Sequence, residues 1–148
     1  MKLYINAIVF SVIAVLCIAC GPKRQEKVVI NSYADGKPKL EYVYILNDEG
    51  NKQLYKETHY FPEKKKYIEG TYDQFTRRDG EWTSWYENGR KNSQGTYENG
   101  LLQGKYTVWH PNGKVFYKGQ YKNGVKVGTW SYYDTAGRLM HTEICDNH

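Results

Sequence analysis

Cysteine is scarce in this sequence: three residues among 148, two of them within the first 20. That count excludes a disulfide framework and a four-ligand zinc site. Charge of one sign is also lacking. Twenty-one basic and 16 acidic side chains leave a formal +5, too mild to require a nucleic-acid partner. Charged residues make up 25% of the chain without long single-sign blocks, which argues against wholesale disorder. There is no His-x-x-x-His pair, no Gly-x-Ser-x-Gly elbow and no phosphate loop. What is abundant is Tyr (15) and Gly (14), with few helix-favouring runs, and that combination points to β structure in one domain.

The first residues read as an address. Lys2 is the only charge before Lys23, and Ala7 to Ala19 is nearly all apolar. A short positive start, an apolar run and a small-residue exit make a secretory signal. The exit Leu16-Cys17-Ile18-Ala19-Cys20-Gly21 resembles a bacterial lipoprotein signal, with Ala19 at the small position before the cut. Cys17 stands where that family usually has Leu. The resemblance implies cleavage after residue 19 and lipid on Cys20, and several acyl chains would hold the protein firmly on a membrane. An uncleaved helix over Leu3 to Cys20, barely long enough to span a bilayer, is the competing reading. Gly21 is not the Asp that marks inner-membrane retention, so the resemblance implies the outer membrane, periplasmic side. Residues 20–27 are expected to be the lipidated cysteine and a polar tether.

From Gly80 the chain copies itself every 24 residues: 80–103, 104–127 and a truncated 128–148. In register stand Gly80/Gly104/Gly128, Trp82/Tyr106/Trp130, Trp85/Trp109/Tyr133 and Gly89/Gly113/Gly137. Residues 28–79 are expected to be degenerate repeats forming an N-terminal cap. There Phe61-Pro62-Glu63 aligns with His110-Pro111-Asn112, and Tyr33–Lys37 and Asn47–Gly50 look like earlier turns.

Asn88-Gly89, Asn99-Gly100, Asn112-Gly113 and Asn123-Gly124 predict two-residue type I′ turns. Counting about them puts Trp82 opposite Gly95, Gly80 opposite Tyr97, Tyr106 opposite Gly119 and Gly104 opposite Tyr121. A ring lying over a facing glycine would explain glycine in mid-strand. Alternation then gives an aromatic face with Trp82, Tyr97, Tyr106, Tyr117, Tyr121, Trp130 and Tyr132. A mostly polar face carries Trp85, Trp109, Phe116 and Tyr133. The expected fold is all-β: an elongated antiparallel meander of repeated hairpins, about ten strands reaching roughly 45–50 Å.

The unit Gly-x-[Trp/Tyr]-x-x-[Trp/Tyr]-[Tyr/His]-x-x-Gly-[Lys/Arg] resembles the variant MORN (membrane occupation and recognition nexus) repeat. That resemblance implies a largely single-layer twisted sheet used for scaffolding or binding, with no catalytic residues to carry over. Similar bacterial chains are repeat lipoproteins or carry an antitoxin label, which an exported chain makes inapplicable here. No enzyme activity, cofactor or metal is expected.

Trp85, Trp109, Phe116 and Tyr133 are the candidate binding anchors, because none is needed to cover a glycine. A protein partner held near the membrane is the expected ligand. Glycan, peptidoglycan above all, stacked on the same rings is the alternative, and lipid headgroups are a third class. His59, His110, His141 and His148 read as variable or stacking positions, and Cys145, set opposite Gly128, as small filler.

Overall fold

The computed structural model describes residues 24–145. The segment expected to be a secretory signal, the expected lipidation site Cys20, and His148 lie outside these residues. One ten-stranded sheet accounts for all of the regular structure described. In chain order the strands are β1 (Gln25–Ser32), β2 (Pro38–Leu46), β3 (Lys52–Tyr60), β4 (Lys66–Tyr72) and β5 (Arg78–Trp85). They continue with β6 (Lys91–Glu98), β7 (Leu101–Trp109), β8 (Val115–Lys122), β9 (Val125–Tyr133) and β10 (Leu139–Cys145). Each strand pairs antiparallel with its neighbours in sequence, so the sheet is an open meander with β1 and β10 as edges. At the spacing of paired strands it extends about 43 Å across the strands. The stretch 25–27, expected as the end of a tether, is the start of β1. Cross-strand charge draws it in: Glu26 pairs with Lys52 and Lys27 with Glu41, each at 2.7 Å.

The paired positions counted from the turns are the observed ones: Trp82 with Gly95, Gly80 with Tyr97, Tyr106 with Gly119 and Gly104 with Tyr121. Two of the four turns, however, differ from the expected type. At 99–100 and 123–124 both residues have positive φ, as a type I′ turn requires. At 88–89 and 112–113 only the glycine does. There Tyr86 N–H donates to Arg90 O and Gly89 N–H to Tyr86 O, which closes a three-residue loop. The extra loop residue is absorbed by a register shift beside Trp85 and another beside Trp109, so pairing farther along the strand is unchanged. The same loop recurs at 33–37, 47–51, 61–65, 73–77 and 134–138.

The rings also cover different glycines from those expected. Although Trp82 is paired with Gly95, its indole lies over Gly70 on the preceding strand, where a Cβ would sit 2.1 Å from the ring. Tyr106 covers Gly95 and Trp130 covers Gly119 in the same way, at 2.5 and 2.2 Å. The cause is two residues upstream. Gly80, Gly104 and Gly128 have φ of +73°, +70° and +63°, and the register slips beside each. These bulges let the strand twist so that the following ring leans back across its neighbour. Tyr97 and Tyr121 therefore do not shield Gly80 and Gly104. Those glycines are needed for their backbone conformation.

Among the described residues the buried hydrophobic side chains are Trp82, Val108 and Trp130, the last with no exposed surface. Trp130 is enclosed by Tyr121 at 5.0 Å, Tyr117 at 6.0 Å, Tyr106 at 6.5 Å and the Lys126 ammonium at 4.5 Å. Trp82 sits between Tyr72 and Tyr97 with the Arg78 guanidinium 4.0 Å from its ring centre. One layer can bury an indole in this way because glycine lies beneath it and rings flank it. Cys145 is half-buried opposite Gly128.

Candidate functional site

Trp85, Trp109 and Tyr133 each end a strand (β5, β7, β9) just before a three-residue loop, so they line one side of the sheet. They are two strands apart, about 9.6 Å. Each is half-buried, and a lysine from the preceding strand sits near its ring: Lys66 at 5.8 Å, Lys91 at 5.9 Å and Lys118 at 5.6 Å. Phe116 stands apart from this row. It is the extra residue where β8 slips against β7, 41% exposed, and it touches His110 (4.7 Å) and Tyr117 (5.2 Å), a ring of the aromatic face.

A polar row crosses the same sheet. Glu41, Thr58, Glu69, Thr83, Gln94, Thr107, Lys118, Ser131 and Thr142 face one another in succession on β2 to β10. Glu41, Thr58 and Thr83 are buried. Burial pushes the Glu41 carboxyl up, but bonds from Lys27 and Tyr60 and the Lys27 charge outweigh it and hold the group below its usual value. Glu69 behaves alike: bonds and charges from Lys66 and Lys56 overcome its desolvation. On the opposite face Glu57 accepts from Tyr72 Oη at 2.7 Å and bonds His59 Nε2 at 2.6 Å. Burial and the bond to Glu57 push Tyr72 up to about 12, so it stays a neutral donor. Tyr132 donates to Glu143 and stacks flat on His141, 4.4 Å between centres.

The rim formed by the loops at 33–37, 61–65, 86–90, 110–114 and 134–138 carries a feature that turn propensities alone did not show. Successive loops are clasped by side chains bonding to carbonyls of the next loop or of the strand residue just before it. Tyr33 Oη donates to Tyr60 O (2.8 Å) and Tyr86 Oη to Trp109 O (2.7 Å), and His110 Nε2 bonds Tyr133 O (3.0 Å). Asn88 Nδ2 donates to Pro111 O (2.9 Å) and Asn112 Nδ2 to Thr135 O (2.7 Å). Arg90 and Lys114 add bonds to Pro111 O and Ala136 O. His110, a variable slot by sequence, is thus a clasp. The available signal was that Tyr33, Tyr86 and His110, polar-tipped aromatics, recur at one loop position.

Between the loops at 61–65 and 86–90 this clasping stops, and a groove of about 420 Å³ opens, walled by Phe61, Tyr67, Trp85, Tyr86 and Asn92. Of the sequence-predicted anchors only Trp85 lines it. Among the described residues no three His, Cys, Asp or Glu side chains gather as metal ligands.

Comparison with curated proteins returns no match. The family described as MORN repeat variant matches residues 78–99 and 102–123. Those segments coincide with the hairpins β5–β6 and β7–β8, each centred on a three-residue loop. The chain therefore carries two MORN-variant repeats, set in a sheet that extends the same hairpin architecture to either side.

Proposed function

We propose that this chain is a non-enzymatic envelope lipoprotein, anchored through Cys20, whose MORN-variant sheet holds a protein partner at the membrane. The observation that carries this is the free edge of the sheet. Strand β10 exposes Leu139, Met140 and Ile144 at 58%, 65% and 73%, and among the described residues it has a neighbouring strand on one side alone, leaving the outer row of its backbone donors and acceptors without a strand partner. Such an edge is a template for an added strand unless something covers it. Exposed apolar side chains beside it favour a protein over a soluble ion or sugar. The anchor rests on the apolar run and the Ala19-Cys20-Gly21 exit.

Purification of the full-length chain from membranes tests the edge directly. Ile144→Lys combined with Leu139→Asp is expected to lose a partner that the unaltered chain retains, with the sheet's circular dichroism unchanged. Equal retention by both would remove the edge as the docking surface. Mass spectrometry of the mature N-terminus tests the anchor: lipid on Cys20 is expected, and an intact Met1 contradicts it.

One observation favours glycan as a second reading. The Trp85–Trp109–Tyr133 row repeats at about 9.6 Å, close to one disaccharide of an extended β-1,4-linked polymer, with a lysine at each ring. Saturable binding to purified cell-wall sacculi, lost in Trp85→Ala plus Trp109→Ala, would support it.

A further inference from the structure

The groove between the loops at 61–65 and 86–90 is the one of four such junctions along the described rim where both kinds of clasp are missing. The slot that holds Tyr33, Tyr86 and His110 holds Phe61, which has no donor to offer Trp85 O. The slot that holds Asn88 and Asn112 holds Glu63, which cannot donate to Glu87 O. The slot of Arg90 and Lys114 holds Lys65, and its ammonium is spent on Glu63 at 2.9 Å. At the next junction Tyr86, Asn88 and Arg90 all bond to the facing loop. Among the described residues no side chain bonds to the Trp85 or Glu87 carbonyl. The space left is lined by rings, by the carboxylates of Glu63 and Glu87, by Lys65 and by the amides of Asn88 and Asn92.

We infer that this groove takes an arginine side chain from the protein partner. The inference rests on the scaffold reading above. The chain itself shows the chemistry that fills an equivalent site, since at the following junction a guanidinium and an amide supply the donors. Here the site offers acceptors, the Glu87 carboxylate and flat apolar walls; Glu63 is already paired with Lys65, Tyr86 and Asn88 donate to the next junction, and the donor left on the lining is the Asn92 amide. A guanidinium brings five N–H donors and no acceptor, lies flat on aromatic rings, and pairs with carboxylates in a planar fork. A lysine ammonium matches the charge but not the two separated carbonyls or the ring faces. Lys66 already hovers over Trp85 at 5.8 Å and bonds Glu69, so the ring accepts a cation without the groove being closed by one.

The test uses the full chain in detergent micelles and two probes, N-acetyl-arginine methylamide and its neutral citrulline isostere. The Trp85 indole and Asn92 side-chain resonances are followed. The arginine probe is expected to shift both saturably, and citrulline to bind about fivefold more weakly, the difference between charged and neutral hydrogen bonds. The double substitution Phe61→Tyr and Glu63→Asn restores both clasps in cis and is expected to weaken the arginine probe at least about tenfold while leaving the thermal midpoint unchanged or higher. Tyr67→Ser, which removes one wall together with its edge contact on Phe61 and leaves both clasp slots unchanged, should also weaken it. Equal binding of the two probes, no binding, or binding that persists in the clasp-restored chain would overturn the assignment. If the probe fails while the β10 edge still retains its partner, the groove assignment falls alone. If the edge retains nothing, the scaffold reading falls with it.

Discussion

Two kinds of glycine do two jobs in this sheet, and substitution separates them. Gly70, Gly95 and Gly119 are required by crowding, because an indole or phenol lies where a Cβ would be. Gly80, Gly104 and Gly128 are required by backbone, with positive φ at a bulge. Gly119→Ala drives a methyl into the fully buried Trp130 ring and is expected to cost about 3 kcal/mol, the upper range for overpacking a filled site. Gly128→Ala meets nothing within 4 Å and is expected to cost about 1–2 kcal/mol, the penalty for a left-handed alanine. Urea titration reads both. Trp130→Leu should relieve much of the first cost and none of the second. The sequence displays both sets as one recurring glycine, which is why each ring is expected over the glycine of the following strand and instead lies over that of the preceding one, two strands away: pairing is legible from turn spacing, but lean is not. What sets the lean is a bulge, and a bulge changes no residue count within the repeat.

At the scale of hairpins, strand number and register were legible because Asn-Gly pairs punctuate the chain at 11, 13 and 11 residues. Turn type was not, since Asn-Gly fits both a two-residue and a three-residue loop. Long-range contacts accompany the difference: Asn88 and Asn112 reach carbonyls 23 residues away, whereas Asn99 and Asn123 adopt positive φ. Local sequence cannot carry that information. Losing one clasp should be measurable. Tyr86→Phe removes the bond to Trp109 O and is expected to cost about 1 kcal/mol in urea unfolding. The same change at His110 affects the next junction instead. The β1–β4 hairpins are tied by charge as well. Glu41 and Glu69 are held below their ordinary carboxyl value, so their contribution is present above pH 4.5 and is lost as pH falls through the depressed folded-state values. The urea midpoint should therefore drop on acidification below about 4.5, and Glu41→Gln should flatten that drop. A midpoint insensitive to acid in both proteins would contradict the pairing.

On the scale of the whole chain the molecule is a ribbon of hairpins with a small enclosed core, each strand supported only by its sequence neighbours. The candidate anchors Trp85, Trp109 and Tyr133 were legible because they recur in register, and the structure aligns them along one rim. The groove was not legible. Aligning Phe61-Pro62-Glu63 with His110-Pro111-Asn112 shows a shared loop, whereas the proposed arginine site lies in the two donors that the first version lacks. A ribbon with an edge strand at each end of the described sheet, one aromatic face and one mostly polar face has room for a partner, and contact should concentrate at particular strands. Photo-crosslinking in cells, with a benzophenone side chain placed in turn at Ile144, Tyr67, Phe116 and Gln53, measures this most directly. The account predicts one adduct of reproducible mass from Ile144 and Tyr67, absent from Gln53 on the far side of the sheet's N-terminal half. No adduct at any position, or the same adducts at all four, would contradict the claim that this sheet is a docking platform.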